Sequence, residues 1–140
     1  MTAVQQVMTE NVAAAKPGDS LETLAQEMDA HDVGFLPVVD EDKLVGVVTD
    51  RDIVRRGLAK DFKSNGVSAE QIMTEKVITV LPDMQVEEAT RLMQDHQIKR
   101  LIVAEDRAIK GVVSLGDLAV SNQEQSAENA LGEIKKSSNG

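Results

Sequence analysis

The distribution of apolar residues predicts short strands that alternate with amphipathic helices. Residues 21–32 follow Asp19 and Ser20, which are good N-cap residues, and their apolar positions share one helical face: Leu21, Leu24, Ala25 and Met28. The segments FLPVV (35–39) and LVGVVT (44–49) predict two strands, and the polar turn DEDK between them predicts a hairpin.

Two further elements flank this core pattern. The sequence VAAA (12–15) predicts a strand before the helix, and a second helix is expected from about Asp50 to Leu58. The complete order of elements is therefore strand, helix, strand, strand, helix.

The same order occurs twice along the chain. Gly46 and Gly111 each begin a GVV sequence and stand 65 residues apart, and the same shift aligns residues 7–55 with 72–120 without a gap. A period of this length exceeds that of ordinary solenoid repeats, and two copies indicate a duplicated half-domain whose halves bury their faces on each other.

The second copy repeats each element. Its first helix follows Asp83 with Val86, Ala89 and Met93 on one face, and a second helix is expected from about Leu115 to Asn122. Strands are predicted at VITV (77–80), RLIVA (100–104) and IKGVVS (109–114).

These patterns divide the chain into four parts. Residues 4–59 form the first repeat and residues 69–121 the second. Residues 60–68 between them are predicted to be a linker, because Ser, Asn and Gly favour a loop. Residues 122–140 are polar and end in a Ser, Asn and Gly run, which predicts a partly disordered tail.

Composition narrows the functional classes. The 140 residues carry a formal net charge of −9, which disfavours nucleic acid and anionic lipid as partners. The absence of cysteine excludes disulfides and thiolate sites, and the two Phe are the only aromatic residues. Without a signal segment or 18 consecutive apolar residues, the sequence favours a soluble cytoplasmic protein.

The candidate chemistry lies where the second hairpin strand of each copy runs into a helix. Thr49 and Asp52 occupy this turn in the first copy, and Ser114 and Asp117 occupy it in the second. A hydroxyl followed three residues later by an acid is typical of a capping box, which needs no ligand. The same turn offers backbone N–H groups to an anion, and a carboxylate can accept two hydrogen bonds from vicinal ribose hydroxyls. The two interpretations are compatible.

Several segments resemble one known family. The two MT-x-x-V starts, the segments H-x-V-G-F-L-P-V-V-D and H-x-I-K-R-L-I-V, and the ending G-V-V-T-D-R-D-I are similar to the tandem repeats of a CBS (cystathionine β-synthase) domain pair. The resemblance covers roughly residues 4 to 121. It implies an α+β fold of two βαββα repeats around a pseudo-twofold axis, two clefts that bind adenosyl ligands in many members, and a homodimer.

The resemblance also assigns roles to the turn residues. It implies that Asp52 and Asp117 hold ribose, with Thr49 and Ser114 in support. The first strands, Val12–Ala15 and Val77–Val80, would help to form an adenine slot in which small alanines leave room, although small residues are also ordinary packing.

Positive charge distinguishes the two copies. Arg51 lies inside the first turn, where the second copy has Gly116, and Lys99 and Arg100 stand where the first copy has Gly34 and Phe35. The implied pseudo-twofold axis would bring Lys99 and Arg100 towards Thr49 and Asp52, where they and Arg51 could bind phosphate. A solvated surface is the alternative for these cations. We therefore expect one competent nucleotide site and one that is weak, empty or differently selective. Arg55 and Arg56 are expected to be surface or dimer-facing residues.

These observations favour a non-catalytic regulatory module that binds AMP, ADP, ATP, NAD or S-adenosylmethionine and signals to a partner protein. No required cofactor, no catalytic residue and no metal site are expected, since His31 and His96 are more simply explained as helix C-terminal residues. The alternative is a structural or protein-interaction module without a ligand, in which the T/S-x-x-D pairs serve only as helix caps.

Overall fold

The structure is a computed structural model that describes residues 2–61 and 66–121. The predicted tail over 122–140 and residues 62–65 of the predicted linker lie outside the described residues. The fold is mixed α+β, as predicted, and the chain divides into two compact units. The first-copy unit contains Asn11–Ile78 and Asp106–Ile109. The second-copy unit contains Thr79–Glu105 and the described parts of Met1–Glu10 and Lys110–Gly140.

The first helix of the first-copy unit, α1, spans Leu21–His31. It begins where the sequence predicts, because the Ser20 hydroxyl accepts a hydrogen bond from the Thr23 N–H at 3.1 Å. It ends at Asp32, which adopts a left-handed conformation with φ 53°. Leu21, Leu24 and Met28 are buried, and they fix α1 against the core.

The prediction for Ala25 is wrong, because this side chain is exposed. The buried stripe of α1 contains only the positions i, i+3 and i+7, and a methyl group at its edge gains little from burial. The aligned residue of the second copy is Thr90, whose hydroxyl donates to the Val86 carbonyl at 2.9 Å within the helix. A polar residue at the aligned position was the signal for an exposed site.

A hairpin follows α1. Strands β1 (Phe35–Asp40) and β2 (Lys43–Thr49) pair antiparallel from Phe35 opposite Thr49 to Asp40 opposite Lys43. Both loop residues, Glu41 and Asp42, have positive φ, as a tight two-residue hairpin loop requires. The core of the unit lies between this hairpin and the helices, and it contains Ala15, Leu21, Leu24, Met28, Leu36, Val38, Val48, Ile53, Ala69 and Ile72.

The second predicted helix of the first copy changes its winding along its length. It starts as one α-helical turn, α2 (Asp50–Asp52), continues as a π-helix over Ile53–Leu58, and ends as α3 (Ala59–Asp61). A short helix, α4 (Ala69–Ile72), follows later in the chain. The π-helix accommodates one extra residue per hydrogen-bonded turn, and such segments are frequent at functional sites.

The second-copy unit repeats the architecture. Helix α5 spans Val86–His96 and buries Val86, Ala89 and Met93, which confirms the predicted face. A three-stranded sheet has the order β3 (Thr79–Val80), β4 (Arg100–Glu105), β5 (Ala108–Ser114), with β3 parallel to β4. Residues 115–121 are helical.

The first strand of each copy is shorter than predicted. In the first copy only Ala15 pairs, through a single parallel bridge to Val38, and in the second copy β3 contains two residues. Ala15 and Val80 are the buried residues of these segments, whereas the residues before them are partly or fully exposed. Strand pairing is therefore confined to the end of each segment that contains its buried residue.

The two sequence copies exchange their N-terminal segments, which the sequence did not reveal. Thr9 pairs with Val112 through backbone hydrogen bonds of 2.8 and 2.9 Å inside the second-copy unit. Thr74 pairs with Val47 in the same way, at 2.9 and 3.0 Å, inside the first-copy unit. Each MT-x-x-V segment thus adds to a hairpin of the other sequence copy.

Two glycines make this exchange possible. A Cβ atom on Gly46 would lie 2.6 Å from the Met73 Sδ, and one on Gly111 would lie 2.7 Å from the Met8 Sδ. The GVV glycines and the MT methionines, which recur with the same period, are therefore contact partners. Their shared period in the sequence was the available signal for this contact.

Candidate functional site

The turn of the first copy is a reciprocal capping box. Thr49 is the last residue of β2 and Asp52 lies three residues later in α2. The Asp52 N–H donates to the Thr49 Oγ1 at 3.1 Å, and the Thr49 N–H donates to the Asp52 Oδ2 at 2.9 Å. The strand ends here because both side chains satisfy backbone groups that would otherwise lack partners.

The turn of the second copy has the same geometry. The Asp117 N–H donates to the Ser114 Oγ at 3.0 Å, and the Ser114 N–H donates to the Asp117 Oδ2 at 3.0 Å. The helix-cap interpretation of both T/S-x-x-D pairs is therefore confirmed. Each cap uses only one lone-pair site of its carboxylate, which has about four. Capping consequently leaves acceptor capacity for a further donor.

The remaining oxygen of Asp52 faces a cation. The Asp52 Oδ1 lies 3.7 Å from the Arg56 Nε, with 13% of the Asp52 side chain and 55% of the Arg56 side chain exposed. Arg56 is a surface residue, as predicted, but its contact with Asp52 was missed. The i, i+4 spacing of an acid and an arginine on one helix was the signal that could have found it. The aligned position of the second copy is Ser121, which carries no charge and is buried.

The other predicted cations divide between the units. Arg51 is exposed, and its backbone N–H donates to the Asp50 Oδ1 at 2.8 Å in the first-copy unit. Lys99 and Arg100 are exposed at the start of β4 in the second-copy unit. The Leu115 N–H donates to the Lys99 carbonyl at 2.7 Å, so the backbone of Lys99 lies directly beside the Ser114 turn.

The structure therefore brings the predicted residues together in two sets. Thr49, Arg51 and Asp52 share the first-copy unit, whereas the second-copy unit contains Lys99, Arg100, Ser114 and Asp117. The turns are also built alike, because the Asp50 N–H donates to the Gly34 carbonyl at 2.8 Å as the Leu115 N–H does to that of Lys99. A shared ligand for Asp52 and Arg100 stays a prediction.

The predicted adenine slot of the first copy is partly core. Ala15 is buried at the centre of the first-copy unit and Ala13 packs against the same core, whereas Ala14 is exposed. Ordinary packing thus accounts for Ala15 and Ala13. Ala14 is exposed and Ala13 is partly exposed, so an adenine slot beside them stays a prediction.

The two histidines each end a helix. His31 is the last residue of α1 and its Nε2 lies 3.4 Å from the Glu27 Oε2, and His96 is the last residue of α5. Over residues 2–61 and 66–121, no group of three or more His, Cys, Asp or Glu side chains is arranged to hold a metal ion. Within the same ranges, no helix combines the length and the apolar character needed to cross a membrane.

Comparison with known proteins places these features in a wider context. The family model described as "CBS domain" matches residues 4–59 and again residues 69–121. Uncharacterized protein YlbB of Bacillus subtilis (strain 168) is 39% identical over 142 residues, which cover 99% of this chain and 95% of YlbB.

Two solved structures are similar along most of their length. Hypoxic Response Protein I, solved with two coordinated zinc ions, is 32% identical with a TM-score of 0.76, covering 84% of this chain and 97% of that one. A relative of the same name comes from Mycobacterium tuberculosis. The CBS domain pair of protein MJ0100, solved with 5′-methylthioadenosine and S-adenosyl-L-methionine, is 28% identical with a TM-score of 0.77, covering 89% and 98%.

Proposed function

The chain belongs to the CBS domain family, and from this premise we propose that it is a non-catalytic regulatory module that binds an adenosine-containing ligand and signals to a partner protein. The observation that carries the proposal is the fixed carboxylate at each strand-to-helix turn. The cap holds Asp52 in one orientation and leaves acceptor sites on the carboxylate for ribose hydroxyls. The adenosyl ligands of the MJ0100 domain pair support the same ligand class.

Each site residue has a role in this proposal. Asp52 and Asp117 accept hydrogen bonds from ribose, and Thr49 and Ser114 orient them through the caps. Arg51, Lys99 and Arg100 are exposed cations that bind phosphate, which explains how a chain of net charge −9 attracts an anionic nucleotide. Asp52 belongs to the higher-affinity site.

Titration calorimetry with AMP, ADP, ATP, NAD and S-adenosylmethionine tests the proposal. The informative variant is Asp52→Asn, because its amide oxygen can keep the hydrogen bond from the Thr49 N–H, while the NH2 group that replaces the other oxygen cannot accept from ribose. We expect it to weaken binding by at least about tenfold, the effect of losing one or two charged hydrogen bonds. Asp117→Asn is the matched control and should weaken binding less.

A double-mutant cycle of Asp52→Asn with Arg100→Gln asks whether both residues act on one bound molecule. Coupling with AMP, but not with adenosine, would support a phosphate role for Arg100. Stronger weakening by Asp117→Asn than by Asp52→Asn would reverse the assignment of the two sites. If the two changes in the free energy of AMP binding are fully additive, Arg100 does not contact the AMP molecule that Asp52 holds.

A second function is favoured by the completeness of the caps. Within each pair, each side chain accepts a hydrogen bond from the backbone N–H of the other residue, and no ligand is needed. The chain can therefore also serve as a structural or protein-interaction module. If the wild-type protein binds none of the five compounds at millimolar concentration, this alternative replaces the first proposal.

The partner is proposed to include a second copy of the chain. Val54 and Leu58 are exposed on the π-helix, and Leu115 and Val120 are exposed on the helix over 115–121, so both second helices present apolar side chains. Burial of these side chains would favour a homodimer. Sedimentation equilibrium should give twice the mass of the chain, and Val54→Asp should lower it; a wild-type monomer at high concentration would contradict the dimer.

A further inference from the structure

Arg56 connects the carboxylate of Asp52 to a distant part of the sequence. Its Nη1 donates long hydrogen bonds of 3.4 Å to the backbone carbonyls of Ile72 and Met73, while its Nε lies 3.7 Å from the Asp52 Oδ1. One guanidinium therefore contacts a proposed ligand-binding side chain and a backbone segment that begins the second repeat. Arginine is suited to this role because its donors form a rigid fork.

The contacted segment, residues 69–74, has other anchors: the Ala69 N–H donates to the Asp19 carbonyl at 2.8 Å and the Glu70 N–H to the Pro17 carbonyl at 2.9 Å. Ile72 is the last residue of α4 and Met73 is its C-cap, so their carbonyls have no partner within the helix. The segment is seated by the burial of Ala69 and Ile72 and by the backbone pair of Thr74 with Val47. Arg56 thus satisfies carbonyl groups at the turn between the buried helix and the paired strand.

The second copy lacks this connection. The residue aligned with Arg56 is Ser121, a short, uncharged and buried side chain that cannot span the same distance. The segment aligned with Ile72 and Met73 is Val7 and Met8. The duplicated architecture therefore places an arginine link on one of the two carboxylates, so the two turns differ in charge and in contacts.

We infer that Arg56 is a positioning residue that competes with ligand for the Asp52 Oδ1 and couples the occupancy of Asp52 to the seating of residues 69–74. The inference rests on the proposed function in assigning Asp52 to ribose. A ribose hydroxyl that donates to the Oδ1 shares the oxygen that faces Arg56 and draws on the same negative charge, so binding weakens the arginine link and loosens the segment. Because coupling is reciprocal, the factor by which ligand binding weakens the Arg56–Asp52 contact is also the factor by which that contact weakens ligand binding. Replacing Arg56 should therefore tighten ligand binding.

The expected effect is small and has a defined sign. The ion pair is half exposed and has i, i+4 spacing, so its loss should tighten binding of an uncharged nucleoside by about twofold. A direct contact between Arg56 and phosphate would have the opposite effect, because removing the arginine would then weaken the binding of AMP. Adenosine and AMP together therefore distinguish competition from direct contact.

The experiment compares Arg56→Gln with Arg55→Gln, which removes the same charge from the neighbouring exposed position. Amide hydrogen exchange of Met73 and Thr74 is measured relative to Leu24, whose exchange reports opening of the buried core. Without ligand, Arg56→Gln should raise the exchange of both amides by about twofold, whereas Arg55→Gln should not. Saturating adenosine should produce the same increase in the wild type and no further increase in Arg56→Gln.

The outcomes separate the two proposals. If the wild type binds adenosine or AMP but Arg56→Gln leaves the exchange of Met73 and Thr74 unchanged, the coupling is refuted and the ligand-binding proposal stands. If Arg56→Gln weakens the binding of AMP and leaves the binding of adenosine unchanged, Arg56 contacts phosphate directly and does not compete for Asp52. If the wild type binds neither probe, both the proposed function and the competition are wrong.

Discussion

Replacing Gly111 by Ala tests the exchange of N-terminal segments between the two sequence copies. The added Cβ would lie 2.7 Å from the Thr9 carbonyl oxygen and 2.7 Å from the Met8 Sδ. The methionine can rotate away, but the carbonyl is fixed by the hydrogen bonds that join Thr9 to Val112. An ordinary contact requires the strand and the segment to separate by several tenths of an ångström, which strains both hydrogen bonds.

The expected change in the free energy of unfolding is the balance of opposing contributions. Forcing an extra methyl into a packed contact costs about 1–3 kcal/mol, and weakening two backbone hydrogen bonds adds up to about 1 kcal/mol. Reduced freedom of the unfolded chain offsets about 0.5–1 kcal/mol. The free energy of unfolding should therefore fall by about 1–3 kcal/mol, which corresponds to a decrease in Tm of about 4–10 °C for a chain of this size.

Two further glycines provide the comparison. Gly46→Ala should be milder, because its closest contact is the flexible Met73 Sδ and the Thr74 carbonyl oxygen is 3.0 Å away. Gly18→Ala is the control, since nothing lies within 4 Å of its added Cβ and its φ is not positive. We expect this variant to be neutral or slightly stabilising.

Urea and thermal unfolding followed by circular dichroism at 222 nm measure these effects, because the chain has no Trp or Tyr for intrinsic fluorescence. The expected order of destabilisation is Gly111→Ala, then Gly46→Ala, then Gly18→Ala. Equal stability of the Gly111→Ala and Gly18→Ala proteins would show that residues 3–10 do not seat against β5, and the segment exchange would be rejected.

Three further predictions concern the caps and the core. Thr49→Val and Ser114→Ala each remove a capping hydroxyl and should lower the free energy of unfolding by about 1 kcal/mol in the same assay; unchanged stability in both would contradict the capping boxes. Leu24→Ala should cost about 2–5 kcal/mol because this side chain is fully buried, and a loss below 1 kcal/mol would place it outside the core. Ala25→Lys should change stability by less than about 0.5 kcal/mol, and a large loss would restore the original prediction that Ala25 faces inward.

The sequence determined those features that depend on local patterns. Alternation and helical spacing predicted α1, α5 and both hairpins, since their buried faces follow from side-chain periodicity. The repeat predicted that each element would occur twice. The caps at Thr49 and Ser114 were also predictable, because a hydroxyl and an acid three residues apart interact within a single turn.

The tertiary structure decided which segments pair across long distances in the chain. Residues 72–74 could have packed on either hairpin as far as their own pattern was concerned, since each hairpin has a GVV glycine, and the structure pairs Thr74 with Val47 and places Met73 against Gly46. The same contact places the Ile72 and Met73 carbonyls within reach of Arg56. Local periodicity specifies which face of an element is buried, whereas the folded structure decides the partner, because the repeat would allow each MT segment to pair with either hairpin.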